Sequence, residues 1–413
     1  MATRFNGGII GVRNSTTGSV YGSATGRFSS NEVLLGVKDA TWPQWQDTTI
    51  GNLFAWGRNF NGLIPRQAQG SRTSPVFIDR TTIWVKPSTA AYTGICTKSD
   101  GTLWSWGRNT YGELGRGDAV NRSSPVQIGA LTNWSQPSLG GNRFTGTHAL
   151  CIKTDGTLWA WGDNVVIDNK DARGLNGAAR NSSPVQVGSD TNWAQVSSGI
   201  DATVAIKTTG TLWSCGYGRI GTGSGSNTFL QTAGTGFANV AHGGRCTTLV
   251  KTDGTLWTMG NGPQGQLGNN TAGPANYTPQ QIGALTNWSQ PIIRSGDANA
   301  YSNGCIKTDG TLWMWGKNTY GQLGLGDTVS RSSPVQVGSD SNWSSVALGG
   351  YANYKGFCVG RKTNGKLYAW GSSGYGQLGQ GNTTDHSSPI QVGLLTNWVL
   401  PAAGIRTSFC TTT

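Results

Sequence analysis

The sequence predicts an all-β fold, a seven-bladed β-propeller of four-stranded blades, and three observations carry that expectation. A hydroxyl- and glycine-containing turn followed by an apolar aromatic strand and a glycine recurs seven times between residues 50 and 371. The closing glycines (Gly57, Gly107, Gly162, Gly216, Gly260, Gly316 and Gly371) are 50, 55, 54, 44, 56 and 55 residues apart, a period at which repeats form propellers or solenoids. No stretch inside a repeat has the apolar spacing of a long helix, whereas short runs such as Ala149 to Ile152 and Thr157 to Trp159 are bounded by turn residues.

The elements of one repeat follow in a constant order, clearest around Thr154 to Gly162. The run before the turn, Ala149-Leu150-Cys151-Ile152, reads as an inner strand. Asp155-Gly156 then reads as a two-residue hairpin turn with positive φ at both central residues, which Asp-Gly supplies cheaply. Leu158 to Trp161 is the aromatic strand, and the glycine after it lets a neighbouring backbone or indole approach closely. Later landmarks are Gly112-Glu113-Leu114-Gly115, Ser123-Ser124-Pro125-Val126 and Asn133-Trp134, which return near Gly321, Ser332 and Asn342 and near Gly376, Ser387 and Asn397. Tryptophans are expected to fill the wedge between adjacent sheets, which accounts for most of the 18 in the chain. The fourth repeat departs most, with Cys215 before its glycine and both later marks missing, so its blade is expected to be trimmed or locally irregular.

The ends explain each other. The first phrase, Asp47 to Trp56, has no strand run before it, and the chain finishes on such a run, Gly404 to Thr411, without its turn. The C-terminal strand is therefore expected to complete the first blade, which removes exposed sheet edges.

This order of strand, Asp-Gly turn, aromatic strand ending Trp-Gly, Gly-Gln-Leu-Gly and Ser-Pro-Val resembles the repeat of the regulator of chromosome condensation family, over roughly residues 48 to 413. The resemblance implies a seven-bladed propeller and leaves function open, since such propellers serve as exchange factors, ligase adaptors and binding platforms. Residues 1–47 lie outside the repeat as an irregular N-terminal extension, and 48–413 form the propeller. Within the extension, Gly26 to Pro43 resembles a short element of tailed-phage virion structural proteins, an aromatic-Ser-x-x-Glu-Val stretch ending in Thr-Trp-Pro. That resemblance implies an anchoring segment whose apolar contacts are Phe28, Val33, Leu34, Leu35 and Trp42.

Composition narrows the classes further. Only 12% of residues are charged, against about a quarter in ordinary soluble chains. Met1 to Val12 lacks an apolar core behind a basic start, so no secretory signal is expected. Cys96, Cys151, Cys305 and Cys410 hold one place in four repeats and read as core residues, while no cysteine pair has zinc spacing. Gly216-Tyr217-Gly218-Arg219-Ile220-Gly221 matches a dinucleotide fingerprint but ends a strand in an all-β repeat and opens no helix. Arg116-Gly117-Asp118 is equivalent to Leu325-Gly326-Asp327, so the repeat explains it. His148, His242 and His386 are scattered, with no nucleophile elbow or orienting carboxylate, so no catalytic, cofactor or metal site is expected.

Charge remains. Lysine and arginine exceed acid by 12. Lys98, Lys153, Lys207, Lys251, Lys307 and Lys362 each stand two residues before the turn position and should form a basic ring at one level of the disc. The bland expectation is that each neutralises its turn aspartate, leaving Lys207 and Lys362 freer where Thr209 and Asn364 replace it. The sharper one is a cationic surface for acidic glycan, nucleic acid or protein. The expected function is a non-enzymatic phage virion structural protein, assembled in the host cytoplasm in multiple copies. Its N-terminal segment would join other virion proteins, and its propeller would be displayed on tail or capsid for host attachment or decoration. The alternative is a nucleotide-exchange or chromatin-type binding scaffold like others of the family.

Overall fold

The computed structural model describes residues 4–5, 8–9 and 51–413, except 66–68, 80–82, 143–145, 165–169, 178, 218–224, 233, 294–301 and 352–353. The chain divides into two units, Met1–Trp45 and Gln46–Thr413. In the first, Arg4–Phe5 pairs antiparallel with Gly8–Ile9. Phe28, Val33, Leu34, Leu35 and Trp42 lie outside the described residues.

The second unit is a ring of seven four-stranded antiparallel sheets. Blade 2 shows the plan: Trp84–Ala90, Thr93–Lys98, Leu103–Gly107 and Arg122–Gln127, in that order from inside to outside. The first strands of successive blades pack on one another around the axis. The run before the turn is therefore the second strand of its blade, one place further out than its sequence reading, because the Asn-Trp mark itself opens the innermost strand.

Blade 1 is closed as expected. Leu53 pairs with Thr411, Phe54 with Cys410 and Gly57 with Thr407. The C-terminal end supplies two strands, since Trp398–Ala403 forms the innermost strand of that same sheet. Blade 4 is not trimmed: Trp193–Ser198, Ala202–Lys207, Leu212–Gly216 and Ser226–Gln231 make a full sheet. Its short repeat is accommodated in part by the connection from Gly216 to Ser226, which has fewer residues than that from Gly107 to Arg122.

The Asp-Gly turn differs from its sequence reading. Gly101 has φ +75° while Asp100 is not in the left-handed region. Gly101 N donates to Lys98 O at 3.0 Å and Lys98 N to Thr102 O at 2.9 Å. Keeping Asp100 at negative φ lets its Oδ1 accept from Thr102 N (2.9 Å) and Oγ1 (2.6 Å), the local bonding that makes Asp a turn residue. Thr102 Oγ1 in turn accepts from Trp104 Nε1 at 2.8 Å. The same relay recurs from Asp155, Asp253 and Asp309.

Turn glycines also join the blades. A Cβ on Gly101 would lie 1.9 Å from Thr132 O, so only glycine allows the next crossover to pass. Trp134 N then donates to Gly101 O, and Thr154 N, in the following turn, to Asn133 O. This pair of backbone bonds recurs at all seven junctions, from Trp84 N to Gly51 O through Thr413 N to Asn397 O.

The wedge between sheets is aromatic, as expected. Trp56, Trp106, Trp161, Trp315 and Trp370 are buried. Each indole N–H donates to a carbonyl of the preceding blade, that of Gln377, Leu63, Glu113, Gln266 or Gln322, at 2.8–3.0 Å. In blade 4, Cys215 replaces the indole, and its Sγ meets Ala172 O at 3.4 Å, the equivalent acceptor. Cys96, Cys151, Cys305 and Cys410 are buried free thiols on second strands, and burial pushes those of Cys151 and Cys305 up to about 12.

Candidate binding face

The expected basic ring exists as a repeat of positions but is turned inward. Lys98, Lys153, Lys207, Lys307 and Lys362 are only 4–7% exposed, so they offer little to a ligand. Each ammonium lies between two rings, one from the first strand and one from the third. Lys153 Nζ sits 4.7 Å from the Trp134 centroid and 3.7 Å from Trp159. Lys207 sits between Trp193 and Trp213, and Lys251 between Phe237 and Trp257. Attraction to the ring faces offsets part of the desolvation, and burial still lowers the pKa of Lys98, Lys153 and Lys307.

The two lysines expected to be freer are directly paired. Lys207 Nζ meets Asp190 at 2.9 Å and Lys362 Nζ meets Asp340 at 2.8 Å. Both acids lie in crossovers, and both blades lack the turn aspartate, having Thr209 and Asn364 instead. A carboxylate is thus kept beside the lysine by one route or the other. We expect Asp340→Ala to cost only about 0.5 kcal/mol, because Asp340 is half exposed. Adding Asn364→Asp should recover it in urea denaturation, whereas the same addition to the intact protein should not.

The opposite ends of the strands carry a different arrangement. A Cβ on Gly107 would meet Tyr92 O at 2.2 Å, and this approach lets Arg108 N donate to Tyr92 O at 2.9 Å. Equivalent bonds run from Arg58 N to Arg406 O, Asp163 N to Thr147 O, Tyr217 N to Asp201 O and Asn261 N to Arg245 O. The residues after these closing glycines are thereby held against the start of the second strand, at one end of the disc.

There arginines lie on tyrosines across blade junctions. At the junction of blades 7 and 1, Tyr375 is approached by Arg58 (4.9 Å) and Arg406 (4.5 Å). At blades 2 and 3, Tyr111 is approached by Arg108 (5.5 Å) and Arg180 (4.2 Å). At blades 4 and 5, Arg245 lies 5.4 Å from Tyr217. Three of these arginines rest on buried acids: Arg108 on Glu113 (3.0 Å), Arg180 on Asp163 (2.7 Å) and Arg245 on Asp201 (3.2 Å). Burial raises the pKa of all three acids, that of Asp201 to about 6. The acids lie beneath, while the side chains of Arg180 and Arg245 are 58% and 37% exposed. The surface is therefore one of planar cations and phenol rings, suited to acidic and aromatic groups.

The arginines just before the Ser-Ser-Pro mark serve the rim. Arg122 and Arg331 pair with Asp118 and Asp327 at 2.6 and 2.5 Å, so Arg116-Gly117-Asp118 is part of a loop brace. Sequence reading also missed Arg173, which is fully buried where other repeats have leucine. It pairs with Asp171 at 3.0 Å and donates to Gly162 O, Gly177 O and Ala179 O. The Asp-x-Arg-Gly spacing in the third-repeat loop was the signal available.

His148 and His242 are buried in blades 3 and 5, and burial lowers them to about 3 and about 4. The native state binds fewer protons there than the unfolded chain, so their contribution is full above pH 6.5 and lost as pH falls. Asp201, raised to about 6, acts oppositely and offsets part of the loss. Between pH 7 and pH 5 we expect a net loss of about 2–3 kcal/mol, read by urea denaturation, with a flatter profile after His148→Asn and His242→Asn.

Comparison with known proteins places these features in a family context. The regulator of chromosome condensation (RCC1) repeat matches residues 100–145, 309–353 and 364–411. The Protein RCC2 homolog of Danio rerio is 37% identical over 119 residues, 29% of this chain and 22% of that protein. The ultraviolet-B receptor UVR8 of Arabidopsis thaliana is 33% identical over 127 residues, 30% of this chain and 26% of that one. The matched region thus spans about a quarter of each relative's length. Among solved structures, Prp20p of Saccharomyces cerevisiae, described with its binding to Gsp1p and histones, superposes with a TM-score of 0.75. It is 16% identical and covers 89% of this chain and 92% of its own. Human WBSCR16 gives 0.72 at 18% identity, over 88% and 99%. The chain is a seven-bladed β-propeller in which residues 100–145, 309–353 and 364–411 match the regulator of chromosome condensation repeat.

Proposed function

We propose that the chain is a non-catalytic binding scaffold of the regulator of chromosome condensation type, engaging a macromolecular partner through its arginine–tyrosine face. The observation that carries this reading is the recurrence of arginine on tyrosine at three blade junctions at one end of the disc, with the compensating acids beneath. The relatives support the chromatin- or exchange-type reading over the others, since Prp20p is described as binding Gsp1p and histones. The partner should therefore present acidic and aromatic groups to this face.

The test is binding of Gsp1p and of histones at low and high salt. Replacing Arg58, Arg180 and Arg245 by alanine together should weaken binding about tenfold or more and flatten its salt dependence. Binding unchanged in that variant would remove the face from the proposal.

A second reading, a virion component anchored by residues 1–47 and displaying the propeller to host glycan or protein, is favoured by the Gly26 to Pro43 phrase. A chain starting at Thr48 that still enters assembling particles would end it.

A further inference from the structure

Among the described residues the outermost strand of a blade pairs with no further strand, and a loop of the preceding blade meets only its start, as Asn176 N does at Asn227 O in blade 4 (3.0 Å). Alternate residues beyond that point therefore aim their N–H and C=O groups away from the sheet. In blade 2, Ile128 N donates inward to Leu103 O, and alternation puts Val126 inward and Pro125 outward. Proline has no N–H to offer another strand. The same position is proline in six of the seven outer strands: Pro75, Pro125, Pro184, Pro279, Pro334 and Pro389. Two blades also cover an outward carbonyl, with Arg116 on Gln127 O and Gln380 on Gln391 O.

Blade 4 departs from this rule. Its outer strand Ser226–Gln231 has Phe229 at the proline position. Thr232 N donates inward to Leu212 O at 2.8 Å, so the N–H groups of Phe229 and Gln231 face outward. The Phe229 ring turns inward, 5.0 Å from Trp193, and Leu230 stays 43% exposed. Beside Thr228 lies a groove of about 390 Å³ between blades 3 and 4, lined in part by Leu175 and Val185. Lys170 packs on Gly225, at the start of the strand, and the exposed Arg180 stands next to Asn181 of the groove.

We propose that this edge is a strand-addition site, receiving an extended segment of a partner protein as a fifth, antiparallel strand of blade 4. Main-chain bonds to Phe229 and Gln231 would supply affinity, and apolar side chains at alternate positions would cover Leu230 and enter the groove. An antiparallel strand ends before Asn227, whose outward carbonyl already accepts from Asn176 N at 3.0 Å, so the residues that follow it lie toward Lys170 and are acidic. The site adjoins the arginine–tyrosine face at Arg180, but its main-chain bonds at Phe229 and Gln231 do not depend on that face.

The probe is a short synthetic peptide of alternating threonine and valine ending in paired glutamates, with a control carrying the glutamates at its start. Anisotropy measures binding to the full chain, and amide hydrogen exchange is followed at Phe229 and Gln231. Binding with slowed exchange at both amides is expected, weaker for the control peptide. Gln231→Pro, which removes an outward N–H but leaves Phe229 packed, should weaken binding about tenfold or more; Phe229→Pro, which restores the rule of the other blades, should do the same. Unchanged exchange at millimolar peptide, or full affinity in a folded Gln231→Pro protein, overturns the proposal. Protection that grows with protein concentration alone also overturns it, by assigning the edge to a second copy of the chain.

Discussion

A chain ending at Ala403 should give no cooperative melting transition. Removing residues 404–413 takes out the second strand of blade 1, leaving Leu53–Asn59 and Trp398–Ala403 without the strand that joins them. Ile405 and Phe409 are buried, and Phe409 packs 5.6 Å from Trp106 of the next blade. Loss of those two side chains alone is worth about 5–9 kcal/mol, comparable with the whole stability of a typical domain. The ladder bonds and the Ser408 Oγ bond to Gln377 O are lost with them. Scanning calorimetry of the truncated chain is the measurement, and a melting temperature equal to that of the full chain would rule out closure by this strand.

Trp161→Ala and Trp315→Ala should each cost about 3–5 kcal/mol, the range for large aromatic deletions in a core. Both indoles are fully buried and reach across a blade junction, Trp161 to Glu113 O and Trp315 to Gln266 O. A Cβ on Gly115 or Gly268 would lie within 3 Å of the indole nitrogen it faces, so the preceding loop is shaped around the ring and will not collapse into the gap. Denaturant midpoints at constant slope provide the readout. A variant of unchanged stability that loses binding would make these tryptophans a ligand surface instead.

The repeat, the blade count and the closure were legible because each rests on local chemistry that recurs: a turn, an apolar strand, a glycine. The direction of the lysines was not. Two residues before a turn says which level Lys153 occupies, but its concealment depends on Trp134 and Trp159, which come from strands on either side of its own. The pairing of Lys362 with Asp340 was hidden for the same reason, the acid lying 22 residues away in a crossover. Most of the arginine–tyrosine contacts join residues of different blades, as Arg406 with Tyr375 and Arg180 with Tyr111, and no repeat alignment displays them. The outer prolines were visible as a motif, but their meaning needed the edge, and with it the significance of Phe229.

The paired backbone bonds between each turn and the next crossover also bear on how the molecule fails. In an open stack of repeats the terminal units have one neighbour, so they fray first and unfolding spreads inward. Here every blade has two such neighbours, because the bonds run from Trp84 and Gly51 round to Thr413 and Asn397 without a break. No blade is terminal, and none can open without releasing two junctions. A ring bonded in this way has no fraying end from which unfolding can spread, so its blades are expected to be lost together and not one at a time.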